Sequence, residues 1–489
     1  MRSEDYHDDC SISSPSRASG SLPLHREILF IGTACMVQVL TQGGFGQTLS
    51  IPHIIGQSFG TENQPGELSW FTSAYGLTMG TFILIAGRLG DMFGYKKMVV
   101  FGFLWLGAWS LVCGLAVFSG HGLFIVARAF QGTGSAILLP NTIALLGSNY
   151  PPGPRKNLFF TLFGAAAPAG GVIGATFAAL FGQLVWWPWA FFTLAMACTF
   201  LAVISLISIP PVIKSNHRQS FDFLGAMTGI VGLVCINVAW NQAPIVGWSE
   251  VYVYILLIIG FLFLVAFALV ELYQASFPLL PFNILSVDVA LVLICVACGW
   301  GSFGIWIYYT FQFLLVFRDV TPLLGAAQCC PPGVLGLGIA LTTSYLLSRM
   351  RPDYVITISM AAFTIGMIVT MTVPVHQTYW GQIFLGMIIV PWGVDMSFSA
   401  GSIIISGLVS REHQGIAGSL ISTVANYSMS LGLGFAGTAA SQVNRRGNTS
   451  DQGLQGFRAA WYVGCGLASL GLAVSIIKMI LDRRRSVGR

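Results

Sequence analysis

Lysine occupies only five of 489 positions, and none of the five follows a glycine, so the chain holds no GxxxxGK[ST] phosphate loop. An ATP-driven pump on one polypeptide is thereby excluded, and work against a gradient has to draw on an ion gradient or a partner. The seven histidines, His7, His25, His53, His121, His217, His376 and His413, fall without metal-ligand spacing, and neither HExxH nor GxSxG occurs. No metal, cofactor or enzymatic centre is expected. Charge of either sign is scarce, at 8% of residues, and the longest polar segment, residues 1–27, is too short for a catalytic or nucleotide-binding domain. That segment is acidic and Ser-rich without an apolar run, which fits a disordered cytoplasmic tail and neither a signal nor a transit peptide. Nine of the ten cysteines lie in or beside apolar runs and Cys10 is the exception, so no disulfide is expected. The CxxC of Cys295 and Cys298 reads as small packing residues.

What the chain has instead is apolar length. With 55% hydrophobic residues and a mean hydropathy of +0.76, it exceeds what a soluble core needs and reads as an all-α polytopic membrane protein. A spanning helix takes roughly 20 mostly apolar residues. That window yields fourteen spans: 28–50, 68–87, 98–117, 121–148, 158–182, 187–209, 221–241, 252–272, 287–315, 322–347, 354–373, 379–408, 414–440 and 457–481.

Basic residues set the orientation, since short loops rich in Lys and Arg stay cytoplasmic. With the N-terminus inside, eighteen of the 23 basic residues fall on inside segments. Only Arg318, Arg445, Arg446 and Arg458 fall outside, and Arg128 lies within a span. The net charge of +5 is this loop bias and no nucleic-acid footprint. Both ends are expected in the cytoplasm, the last as a basic tail, 482–489. Asn448-Thr-Ser is a glycosylation sequon in the longest outside loop. The polar stretch PPVIKSNHRQS separates a six-span half, 28–209, from a linker, 210–286, carrying two extra spans, and a second six-span half follows at 287–481. Six plus two plus six fits a transporter of two repeated halves with its substrate site near the bilayer midplane.

Four charges crowd into GRLGDMFGYKK, residues 87–97, between the second and third spans. Topology accounts for Lys96 and Lys97 but not for Asp91, an acid that can lock one conformation near a helix N-terminus or a basic side chain. The tract resembles the GxLaDrxGrkxxl signature of the major facilitator superfamily. By that resemblance Gly87, Arg88, Asp91, Gly94 and Lys96 form a gate that pairs across the two halves in the outward-facing state. In span four, Arg128-Ala-Phe-Gln-Gly-Thr-Gly-Ser-Ala resembles the RxxQGxGxA motif associated with proton coupling. An arginine at that depth has to face a cavity or a partner, or else tie backbone carbonyls together. In span five, Gly164, Pro168, Gly170, Gly171 and Gly174 resemble an antiporter signature, with Ala167 where a glycine stands and the glycine pair one residue early. They imply a Pro-kinked, Gly-faced helix at the interface of the halves.

Fourteen spans place the chain beside the drug:proton antiporters with two added central helices. The tracts 69–91, 128–157, 186–192 and 411–437 are similar to fungal aminotriazole-resistance-type transporters. That group implies efflux of toxic organics or fungal metabolites, with borate and ammonium as further cargoes.

Proton antiport needs a protonatable group, and the acid well inside a span is Asp395, in IIVPWGVDMSFSAG. It reads either as a proton carrier or as a hydrogen-bonded packing acid. Pro391 and Gly393 suggest a helix opened next to it. Each proton entering down one pH unit supplies roughly 1.4 kcal/mol. Gln38, Gln42, Gln131, Trp300, Tyr308, Trp392 and Asn426 are the expected cavity residues, apolar rings with a few polar groups. Trp186, Trp187 and Trp189 read as an interfacial belt. The expectation is a monomeric exporter of a small organic molecule in exchange for protons, multi-pass in the plasma membrane, with small-molecule substrate, protons and lipid as its partners. The alternatives are a carrier of borate or ammonium and a transporter-like sensor without flux.

Overall fold

The computed structural model describes residues 23–150, 153–210, 221–274, 278–280, 285–408, 414–444 and 450–487. Asn448 lies outside these residues. Among them there are sixteen α-helices and no strand. Fourteen helices are long: α1 (Leu24–Gly46), α3 (Pro65–Phe93), α4 (Tyr95–Leu115), α5 (His121–Asn149), α6 (Pro154–Leu184), α7 (Pro188–Ser208), α8 (Phe223–Val246), α9 (Val251–Tyr273), α10 (Val287–Val316), α12 (Pro331–Arg349), α13 (Pro352–Met371), α14 (Gln382–Leu408), α15 (Gln414–Asn444) and α16 (Ser450–Val487). The two short ones, α2 (Pro52–Phe59) and α11 (Pro322–Gln328), lie at the outer face, the one opposite the basic loops.

Local chemistry sets the boundaries. Proline stands at the first turn of α2, α3, α6, α7, α11, α12 and α13, where its missing N–H is no loss. Gly94, at φ +96°, breaks the chain between α3 and α4 in a conformation that disfavours a side chain. Asp222 caps α8 by accepting the Gly225 N–H, and Ser286 caps α10 by accepting that of Val289.

Among the described residues thirteen stretches are long and apolar enough to cross a membrane. The fourteenth long helix, α15, is richer in Ser, Thr, Asn and Gly, and it tolerates them because α3, α8, α10 and α16 surround it. Helices α1 and α3–α7 form one half and α10 and α12–α16 the other, each around its own apolar core. Helices α8 and α9 pair beside the seam between α3 and α15.

Several sequence expectations move. The span read as 322–347 is two helices broken at Cys329 and Cys330, ahead of the Pro331-Pro332 pair. The basic segment 482–489 is not a separate tail, because α16 runs on to Val487. Helix α14 passes through Pro391 unbroken, and Ser359 Oγ donates to the Gly393 carbonyl at 2.8 Å, so the expected local opening is absent. Trp187 is no belt residue: it is buried in the first half's core and donates its indole N–H to Ser58 Oγ at 2.9 Å, whereas Trp186 and Trp189 are exposed.

Candidate transport site

Arg128 is fully buried in α5 and fully engaged. Its Nε donates to the Phe71 carbonyl at 2.9 Å and Nη1 to the Gly44 carbonyl at 2.8 Å. Nη1 also reaches Gln131 Oε1, Nη2 reaches Thr48 Oγ1 at 3.3 Å, and the guanidinium lies 4.6 Å from the centre of the Tyr75 ring. Helices α1, α3 and α5 are tied together by one side chain. All these partners belong to the first half, so of the roles open to an arginine at this depth it takes the tie between backbone carbonyls, and it does not pair with Asp395. Gln131 is consumed in the same knot, donating Nε2–H to Ser110 Oγ at 2.8 Å, and is packed away rather than lining a cavity.

Asp395 sits midway along α14, half-buried. Among the described residues no hydrogen-bond or ion-pair partner reaches it. Three other buried charges, each near a helix end, are matched. Glu271 at the end of α9 accepts the Leu279 and Leu280 N–H groups at 3.2 Å each. Lys478 of α16 lies between Asp353 and Asp482, at 2.5 and 2.6 Å. Glu27 pairs with Arg155. Glu271 and Lys478 escaped the sequence reading because each ends an apolar run, where a charged side chain ordinarily snorkels to the interface.

Phe45 of α1 packs against both cores and Leu49, just past the end of that helix, belongs to the second half's core, so the face on which Gln38 and Gln42 precede Phe45 turns toward the opposite half. Gln38 Oε1 is buried and without a partner. Across from it, Trp300 is half-buried and donates its indole N–H to Ser397 Oγ at 3.1 Å, on the same helix as Asp395 and Trp392. Asn426 is half-buried and bonds back to the Ser422 carbonyl at 2.8 Å. Tyr308 departs from the expected set, since it is buried inside the second half with its ring 5.4 Å from that of Tyr309.

The gate tract makes bonds within its own half and touches the other. Asp91 accepts the Tyr95 hydroxyl at 2.6 Å and lies 3.9 Å from Arg88. Lys96 Nζ donates to the carbonyls of Leu206 and Ile209, capping the end of α7. Gly87 brings α3 close to Ser419 of α15, where an added Cβ would lie 3.4 Å from that hydroxyl. On α6, Gly170 meets the backbone at Val39 and Gly174 that at Gly43, both in α1, while Pro168 faces Gly336 of α12 in the other half. Gly164 and Gly171 face open space, although the Gly171 carbonyl lies against Gly46.

The outer face is closed by bonds between halves. Gln312 Nε2 donates to the Leu49 carbonyl at 3.4 Å, and the Leu323 N–H donates to Gln183 Oε1 at 3.1 Å. His53, on α2, lies beside Gln312 and helps line a cavity of about 330 Å³ shared with Asp319 and Thr321.

The sequence model described as Major Facilitator Superfamily matches residues 33–375. A low affinity ammonium transporter of Saccharomyces cerevisiae is 53% identical, over 92% of this chain and 88% of that one. The aminotriazole resistance protein of the same yeast is 42% identical, over 93% and 84%. The efflux pump terJ of Aspergillus terreus is 39% identical, over 98% and 92%. A crystal structure of the peptide transporter POT in complex with sulfate has the same fold, with a TM-score of 0.65 over 96% of this chain and 97% of that one at 16% identity.

Proposed function

This chain belongs to the major facilitator superfamily, and from that premise we propose that it exports a small organic molecule from the cell in exchange for protons carried on Asp395. The observation that carries the reading is the solitary carboxylate: Arg128, Glu271 and Lys478 are held by fixed partners, and Asp395 has none among the described residues. A charge locked into a network cannot be loaded and unloaded once per cycle, whereas an unpartnered acid exchanges its proton for a cationic or polar cargo with little rearrangement. Relatives that are an efflux pump and a resistance protein favour export. For a resistance function the plasma membrane is the natural site.

The second reading is carriage of a small weakly basic solute, with ammonium as its example. It draws on the 53% identical yeast relative and on the half-buried Trp300 indole in the same half as an unpaired carboxylate, an arrangement suited to a compact cation.

The test measures cellular accumulation of 3-aminotriazole, a panel of aromatic toxicants, boric acid and methylammonium in cells carrying an empty vector, this protein or Asp395→Asn at matched surface amounts. Export predicts depletion of one or more organics that disappears with Asp395→Asn and with a protonophore. Accumulation of methylammonium with no organic depleted supports the second reading. Depletion indifferent to both treatments removes Asp395 from the coupling.

A further inference from the structure

Ser430 of α15 lies where three helices from three parts of the chain meet. Its hydroxyl is 2.9 Å from the Ser73 carbonyl of α3 and 3.0 Å from Asn237 Oδ1 of α8, a donor shared between the first half and the central hairpin. The Ser430 carbonyl in turn accepts Asn241 Nδ2–H from α8 at 3.3 Å. Ser430, Asn237 and Asn241 are all buried. One turn away, the Tyr427 hydroxyl donates to the Leu233 carbonyl of α8 at 2.8 Å. Helix α8 also holds the first half directly: Trp70 Nε1 donates to Gln242 Oε1 at 3.1 Å, and Gly66 closes on Ile245. Toward the outer face, Gly434 and Gly437 of α15 meet Trp240 and Pro244 of α8.

The opposite side of the molecule is joined differently. Helices α6 and α12 meet mainly through carbon, Gly336 on the Pro168 ring and Gly333 on the Val172 side chain, with polar links only toward the outer end, Thr176 to Cys330 at the head of α12 and Gln183 to the Leu323 N–H of α11. Carbon contacts released into lipid lose little, because the acyl chains are as apolar as the partner helix. Buried hydrogen bonds pulled apart where no water enters leave polar groups orphaned at the full cost of their desolvation. Four donors, Trp70, Tyr427, Ser430 and Asn241, link α3, α8 and α15.

We infer that α8 is a staple across the seam, so that the two halves pivot about the α3–α8–α15 line and the path opens along the α6–α12 side. The halves do not rock symmetrically. Ser430 and Asn237 are positioning residues for that pivot. Helix α9 packs on α8 at Gly232 and Gly260 and presents most of its surface to lipid. The inference needs the chain to alternate its access but does not depend on which cargo it carries.

Disulfide locking of the full-length protein tests it. In a cysteine-free background, Trp240→Cys with Gly434→Cys joins α8 to α15, Gly66→Cys with Ile245→Cys joins α3 to α8, and Val172→Cys with Gly333→Cys joins α6 to α12. Transport of methylammonium and 3-aminotriazole is compared in oxidised and reduced cells. Both α8 locks are expected to keep most of the reduced rate, and the α6–α12 lock to fall to the empty-vector level. An α8 lock that stops transport and is rescued by reductant overturns the pivot. Spin-label distances give a readout free of cargo and of these substitutions: Leu158 to Tyr345, across α6 and α12, is expected to shift between pH 5 and 8 while Phe93 to Met227, across α3 and α8, stays fixed. An equal shift in both pairs also overturns it.

Discussion

The Gln312 side chain crosses from α10 of the second half to the Leu49 carbonyl at the outer end of the first, and His53 lies beside that crossing. Burial holds the His53 imidazole below its ordinary value, with bonds from the Gln312 side chain and the Glu62 backbone opposing in part. A base whose pKa is lowered in one conformation destabilises that conformation as it gains its proton. The closed outer face is therefore most stable above roughly pH 6.5 and weakens as the pH falls through the ordinary histidine range. Asp319, in the same cavity wall, and Glu62 are the acids nearest this site. Thiol labelling of Leu49→Cys from outside is expected to accelerate at pH 5.5, and His53→Gln to flatten that dependence.

Replacing Arg128 by lysine removes the fork that serves three helices. A single ammonium cannot satisfy the carbonyls of Gly44 and Phe71 together with Gln131 and Thr48, and each acceptor left alone costs roughly 1–3 kcal/mol. Arg128→Lys should lower the unfolding temperature in detergent and the amount at the cell surface. If the loss is in coupling alone, with normal folding, the structural account of Arg128 fails.

At Gly174 a new Cβ would lie 2.2 Å from the Gly43 carbonyl oxygen, which is backbone and cannot rotate away. Gly174→Leu is expected to separate α1 from α6 at about 1–3 kcal/mol, the usual range for overpacking. Gly164→Ala, into open space, should be neutral. Thermal unfolding of the two variants side by side checks the contrast.

Lys478 neutralises two carboxylates at once, and its side chain is 4% exposed. Lys478→Met leaves Asp353 with Arg351 at 3.2 Å and takes the ammonium from Asp482, a loss of up to about 3–5 kcal/mol, the range for a broken buried pair. Adding Asp353→Asn should restore part of it. Thermal unfolding of the single and double variants measures the coupling.

The architecture was legible in the sequence because each crossing has to satisfy its backbone internally, which forces long apolar helices punctuated by Pro and Gly. The runs ending at 117 and 209 stop within two residues of the ends of α4 and α7, whereas the one ending at 87 falls six residues short of Phe93, where α3 carries the charged gate tract past the apolar run. Side-chain roles were harder to read. Gln131 looks like a cavity amide in a string of letters, and only the turn of α5 toward Ser110 shows it spent on Arg128. Tyr308 and Trp187 look like wall and belt until rotation about their helices buries them. The staple at Ser430 was invisible for another reason: serine and asparagine are common in such helices, and their meaning arises from partners nearly two hundred positions or more away along the chain, Asn237 and Ser73.

The outer cavity beside His53 draws its walls from both halves, Ser50 and Ile54 on one side and Leu315 and Asp319 on the other. Its volume of about 330 Å³ is room for a small ligand approaching from the medium. A compound seated there would act as a wedge in a hinge already shut: it would reach its place without crossing the bilayer, never meet the cargo, and raise no competition that more cargo could overcome. Inhibition of that kind would lower the maximal rate and leave the apparent affinity for cargo unchanged.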